Sequence, residues 1–261
     1  MNYGLFSRYA PLIAALPGRS PLLQSDLLTA TFQLEHHPAL DIYYVPFELV
    51  NAQAQVMLVG ITPGWTQMEV AYRVARDGLR EGLPADVVLR RVEDTASFAG
   101  LMRTNLVLML DGIGLASLLG IPSAAALFSV RSDLIHTTSV LRFPVFVHGK
   151  NYTGSAPNLS QSPVLRPQIF GRFREEVQAA SNALIIPLGD RVTEALQLLV
   201  HDGVVDEGRC LLGFPHPSPA NGHRKARYAE HRDSLRSAAQ AWFHSRSMAT
   251  TRSVISAINR R

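Results

Sequence analysis

The chain has 261 residues, 47% of them apolar and 18% charged, with a mean hydropathy of +0.07 and one cysteine. That composition excludes a disordered chain, and the length suffices for one large α/β domain with a substantial core. A single cysteine excludes an intrachain disulfide, a four-Cys zinc site and an all-cysteine iron–sulfur cluster, so a reducing, cytoplasmic setting is expected. The net charge of +4 is unevenly spread. Residues 209–261 hold ten Lys/Arg against two Asp/Glu, a balance of +8, whereas the preceding residues carry 15 basic and 19 acidic side chains. A basic block of this kind is the footprint of a polyanion ligand; a soluble face with a frayed basic end is the plainer reading.

In chain order, residues 1–50 read as an N-terminal helical extension leading into Tyr44-Val45-Pro46. Arg8 precedes a short apolar run, but Pro17 follows and no small-x-small cleavage site does, so no secretory signal is expected. Residues 56–61 read as a buried strand stopped by Thr62-Pro63-Gly64. The apolar stretch 105–128 is broken by Asp111, Gly112, Gly114, Gly120 and Pro122, which suits a buried helix, a turn and a second short helix better than a membrane span. Further strands are expected at 134–141, which alternates imperfectly around the polar set His136, Thr137, Thr138 and Ser139, and at 183–188 and 210–214; runs this short suit the interior of a parallel sheet.

Helical patterns lie between the strands. Ile169, Phe170, Phe173, Val177 and Ala180 form one stripe. Asp190 can cap a helix that buries Val192, Ala195, Leu196 and Leu199. A basic helix spans 223–243, with Trp242 at a core spacing, and 244–261 reads as a basic C-terminal tail. The alternation predicts an α/β fold, a three-layer α/β/α sandwich around a central, mostly parallel sheet over residues 51–243. Ligands of such sheets bind at the carboxyl ends of the strands, where the polar loops 62–67 and 214–223 fall.

Two of these loops carry a resemblance. Gly60-Ile61-Thr62-Pro63-Gly64 is similar to the GQDPY, GMNPG and GEAPG loops of the uracil-DNA glycosylase superfamily, and His216-Pro217-Ser218-Pro219 matches its HPSP motif. Between them, Ser97-Phe98-Ala99-Gly100 resembles the PFVG segment of the iron–sulfur branch, residues 138–144 its TNVVK segment and 185–189 its strand ending in LG. The similarity spans roughly residues 44–243. It implies a monomeric DNA glycosylase that hydrolyses the N-glycosidic bond of a flipped pyrimidine, with DNA as partner and no membrane, metal or cofactor. Base flipping is required because the bond is shielded in the stack.

The resemblance also distributes roles. His216 would donate a hydrogen bond to O2 of the departing base, for which a neutral imidazole suffices. Phe98 would be the stacking platform, with Tyr44 or Trp65 bordering the pocket. Ser218 and the following Pro219-Ala220-Asn221-Gly222 would press into the minor groove, compress phosphates and fill the space left by the flipped base. His223, Arg224, Lys225 and Arg227 would hold phosphates. His36 and His37 are read as structural.

Departures from the pattern matter as much. Where other branches carry Asp or Asn to activate or position water, this chain has Thr62, whose hydroxyl positions water but is no base near neutral pH. Ile61 replaces an acidic residue of the iron–sulfur branch. A carboxylate from elsewhere, Glu69, Asp94 or Asp111, would then serve, or leaving-group stabilisation alone would suffice. Ser139 stands where many members read uracil with Asn, and a hydroxyl does not impose uracil over cytosine.

Gly64 leaves room beside C5, and Asn151 with Lys150 and Tyr152, in the long loop 146–163, supplies polar contacts to a bulky substituent. Thr62, Gly64 and Ser139 thus point to a C5-modified pyrimidine, such as hydroxymethylated or glucosylated cytosine of phage DNA. An ordinary uracil-excision repair enzyme and a non-catalytic DNA-binding member of the fold stay open as alternatives. A nucleotide or sugar-phosphate enzyme ranks last, because no Gly-rich phosphate loop is present.

Overall fold

The structure, a computed structural model, describes residues 4–258 and the side chains of residues 4–248. The chain opens with α1 (Gly4–Ala14) and α2 (Gln24–Leu27), then a hairpin of β1 (Gln33–His36) and β2 (Leu40–Tyr43). β3 (Val56–Gly60) leads into α3 (Trp65–Arg80), α4 (Ala85–Ala96), α5 (Leu101–Gly112) and α6 (Leu115–Leu118). β4 (Ile135–Ser139) precedes a second hairpin, β5 (Val145–Val147) and β6 (Lys150–Asn151). The remainder holds α7 (Arg166–Gln168), α8 (Arg174–Ala179), β7 (Leu184–Pro187), α9 (Asp190–His201) and α10 (Arg224–Ile258).

β3 lies between β4 and β7 and runs parallel to both. Successive strand residues point to opposite faces, so Met57, Val59 and Ile185 enter one apolar layer while Val56, Leu58, Leu184 and Ile186 enter another. The first layer also holds Ala71 and Ala75 of α3, Val88 and Val92 of α4 and Leu196 of α9. The second holds Leu106 and Leu110 of α5 with Leu235 and Ala239 of α10. The molecule is therefore a mixed α/β protein in which helices cover a small parallel sheet. Among the described residues no helix is long and apolar enough to cross a membrane.

Several expectations need correction. Residues 210–214 do not form a full strand: Cys210 makes one parallel bridge to Ile185, and Gly213, at φ +87°, turns the chain away. The first 50 residues are only partly helical, because β1 and β2 join β5 and β6 in a second, antiparallel sheet. That sheet also takes up the beginning of the presumed loop 146–163. The helix expected over 223–243 continues to Ile258, so no separate tail starts at 244; residues 259–261 lie outside the described residues. Gly189, not Asp190, occupies the N-cap of α9. Trp242 is half-buried against the second apolar layer rather than fully in the core.

The stripe ahead of β7 does bury Ile169, Phe173, Val177 and Ala180, with Phe170 half-buried. The apolar stretch 105–128 folds as α5, a left-handed turn at Gly114 and α6. α10 then docks on α5, where the Tyr228 hydroxyl donates to the Met109 carbonyl (2.6 Å) beside Gly112.

Candidate functional site

The register of the parallel sheet brings four chain segments to one level. Gly60 is paired with Ser139 at the carboxyl ends of β3 and β4. The Leu188 N–H donates to the Val59 carbonyl and the Gly189 N–H to the Phe214 carbonyl, both at 2.9 Å. The loops that begin at Ile61, Val140, Gly189 and Pro215 therefore leave the sheet side by side. A cleft of about 880 Å³ opens between them.

Ile61, Thr62, Gly64, Phe98, Ser139, Asn151, His216, Ser218 and Asn221 all line this cleft. His223, Arg224, Lys225 and Arg227 do not, and follow just outside it at the start of α10. His223 and Lys225 are exposed, the Arg224 guanidinium donates to the Ser218 carbonyl (2.6 Å), and Arg227 pairs with Asp190 (2.6 Å). Trp65 lines the cleft as well, but Tyr44 does not: it is wholly buried, stacked on Tyr9 with ring centroids 4.1 Å apart. His36 and His37 sit on the β1–β2 hairpin, paired with Asp41 and Glu35.

His216 is held by its own loop. The Ser218 N–H donates to its Nδ1 (3.3 Å), and the Asn221 amide donates to its carbonyl (3.0 Å). Asn105 of α5 donates to the Pro217 carbonyl (2.9 Å), tying the loop to the helix layer. Burial lowers the imidazole pKa, so the ring is neutral near pH 7. With Nδ1 accepting, the proton of that neutral ring sits on Nε2. Gly189, at φ +92°, lets the ring approach: a Cβ there would lie 3.0 Å from the Cβ of His216.

Phe98 is only 5% exposed and adopts φ +53°, a rare backbone state for a bulky residue. Its N–H donates to Gln67 (3.2 Å), and its ring lies over Gly60, where a Cβ would sit 3.3 Å from Cε1 and 3.2 Å from the Ser139 hydroxyl. Strand-end glycine, aromatic ring and serine are thus packed as one unit.

Two expected roles change. The Thr62 hydroxyl donates to the Phe143 carbonyl (2.9 Å) and accepts from the Val145 N–H (3.2 Å), so it staples the first loop to the approach of β5 instead of offering its proton to water. The space beside Gly64 is not empty, because the Asn151 amide lies 3.4 Å from where a Cβ would be. Its oxygen accepts from the Trp65 N–H (2.9 Å) at the start of α3.

The three carboxylates expected as water activators lie elsewhere. Glu69 accepts from the Leu22 N–H and pairs with Arg73, Asp111 accepts from Ser123 and the Ala124 N–H, and Asp94 borders a separate small cleft. Sequence reasoning missed a different carboxylate, Glu93 of α4, which borders a narrow cavity behind Phe98 and Ser139. Its neighbours in sequence, Arg90, Arg91 and Asp94, make that helix face look solvated, and only the contact with Thr137 of β4 reveals it. Among the described residues no group of three or more His, Cys, Asp or Glu is arranged to hold a metal ion.

A mixed α/β protein with a large cleft at the carboxyl ends of its parallel strands is the class that fold and site define. Within it, the chain belongs to the same family as the Bacillus subtilis (strain 168) protein described as "Uncharacterized protein YoxB". The two are 40% identical over 237 residues, which cover 90% of this chain and 92% of the relative. No protein-family model matches the chain, and no solved structure matches it significantly.

Proposed function

We propose that the protein is a DNA glycosylase of the uracil-DNA glycosylase type, a three-layer α/β/α protein that excises a pyrimidine and leaves an abasic site, with Ser139 and the Asn151 amide beside Gly64 favouring a base that carries a polar C5 substituent. One observation carries the reading. The Gly60–Gly64 loop and the His216–Pro219 loop, some 150 residues apart in sequence, line one cleft at the carboxyl ends of the parallel strands, together with Phe98 and Ser139.

In this reading the Nε2–H of neutral His216 donates to O2 of the base as the N-glycosidic bond breaks and negative charge develops on the ring. A fixed donor in a water-poor site is worth about 10²–10³ in rate. Phe98 forms the wall against which the base lies. Leu101, which lines the same cleft and is 69% exposed, supplies the apolar wedge that fills the gap in the duplex. The 219–222 segment, Pro-Ala-Asn-Gly, carries no large apolar side chain for that task. His223, Lys225 and Arg227 hold the flanking phosphates.

The engaged Thr62 hydroxyl favours one second reading, a protein that senses a flipped base without excising it. Incubation of the purified protein with oligonucleotides bearing uracil or C5-modified pyrimidines, followed by alkaline strand cleavage, tests the proposal. Cleavage at the modified base supports it. Tight binding without cleavage supports the sensor.

A further inference from the structure

The small cavity bordered by Phe98 adjoins the main cleft, since Gln67, Phe98 and Ser139 line both. At about 20 Å³ it has room for a water molecule and not for a ring, so it marks where an edge group of a base would reach rather than where the whole base sits. Glu93 borders it. The hydroxyls of Ser97 and Thr137 both converge on Oε2 of Glu93, at 2.9 Å each. Among the described residues Oε1 accepts no hydrogen bond.

The cations nearby are committed elsewhere. His136 (3.2 Å) and Arg142 (2.6 Å) both pair with Glu176 of α8, which also accepts from Thr138 (2.5 Å). Glu93 also borders a second small cleft, together with His136 and with Arg90 and Asp94 of its own helix, so its carboxylate lies between the two cavities. Among the described residues Glu93 makes no ion pair, and burial pushes its carboxyl up to about 7, outweighing the downward pull of His136 and of Arg142, which lines the same cavity.

Building on the glycosylase reading above, we propose that Glu93 reads the group at C4 of the flipped pyrimidine through Oε1 and selects an aminopyrimidine, that is cytosine and its C5-substituted forms. An ionised carboxylate accepts from the 4-amino group of cytosine and repels the O4 of a uracil-type base. Protonated Oε1 would donate to O4 instead, so the preference for cytosine grows as pH rises through about 7. An amide at this position would turn its oxygen to Ser97 and Thr137 and its N–H to the cavity, which favours O4.

The test uses single-stranded oligonucleotides that carry one 5-hydroxymethylcytosine or one 5-hydroxymethyluracil, a pair that shares its C5 group and differs in the C4 group and the N3 proton that goes with it. Abasic-site formation is measured as kcat/KM at pH 6 and pH 8 for the wild type and for Glu93→Gln. The wild type should prefer the cytosine form at least tenfold at pH 8 and less at pH 6, and Glu93→Gln should erase or reverse that preference. The pH dependence of the wild-type ratio is read without any variant, so the test survives a Glu93→Gln protein that fails to fold. Release of both bases in a ratio that neither pH nor Glu93→Gln changes would overturn the assignment of Glu93 alone. Release of neither base by the wild type overturns the glycosylase reading beneath it.

Discussion

The backbone N–H of Ser218 donates to Nδ1 of His216 across 3.3 Å, and this contact decides which nitrogen of the ring carries the proton. A histidine that accepts at Nδ1 while neutral is a donor at Nε2. Replacement by Ala should lower kcat about 10²–10³-fold while the affinity for DNA stays near wild type, as base-release and fluorescence-anisotropy measurements would show. Equal losses in rate and affinity would mean that His216 only shapes the loop.

The same imidazole links stability to pH. Its folded pKa is depressed below the ordinary 6.5 by burial, so its contribution is fully present above pH 6.5 and is lost as pH falls through the lower folded value. Glu93 acts in the opposite sense. Raised from 4.5 to about 7, it contributes stability that is fully present below pH 4.5 and lost as pH rises through 7. Thermal melting should therefore show, relative to the wild type, a smaller loss of Tm as pH falls below 6.5 in His216→Gln, and a smaller loss as pH rises from 5 to about 7 in Glu93→Gln.

Gly60→Ala introduces a methyl 3.2 Å from the Ser139 hydroxyl and 3.3 Å from the Phe98 ring. Phe98 is already held in a rare backbone state, so the ring has little freedom to give way. The substitution should cost about 1–3 kcal/mol in denaturant unfolding and lower kcat/KM more than Ser139→Ala does.

Much of this arrangement was legible in the residues themselves. The runs at 56–61 and 183–188 are apolar on both faces because a parallel sheet covered by helices offers no wet face, and each did become a strand, as did 134–141 despite its polar centre His136-Thr137-Thr138-Ser139. The β1–β2 hairpin was not legible: four-residue strands that mix Gln33, Glu35 and Asp41 with apolar neighbours carry too little periodicity. Thr62 was placed in the cleft correctly but given the wrong partner, because Phe143 and Val145, which occupy its hydroxyl, lie more than 80 residues away in sequence. Glu93 went unread for the same reason, since a carboxylate beside two arginines is ordinarily solvated until tertiary packing covers it.

The exposed leucine on the cleft rim separates duplex from single-stranded substrates. Leu101→Ala should reduce excision from duplex DNA about tenfold or more and leave excision from a single strand nearly unchanged, because only the duplex has a gap to fill. A similar loss on both substrates would assign Leu101 to the core of the site.

Cations at the start of α10 set the response to salt. Lys225→Ala and Arg227→Ala should each reduce the slope of log Kd against log salt by about one and weaken binding to all sequences alike. Arg224→Ala should additionally loosen the 216–221 loop, because its guanidinium holds the Ser218 carbonyl.

The most direct measurement is identification by mass of any free base released when the wild type and His216→Ala are incubated with single-stranded DNA that contains uracil, thymine or C5-modified cytosines. The account predicts a C5-modified pyrimidine in the wild-type supernatant, an abasic site in the DNA, and neither in the His216→Ala reaction. Intact DNA in every wild-type reaction, with the protein folded and bound to it, would contradict the account.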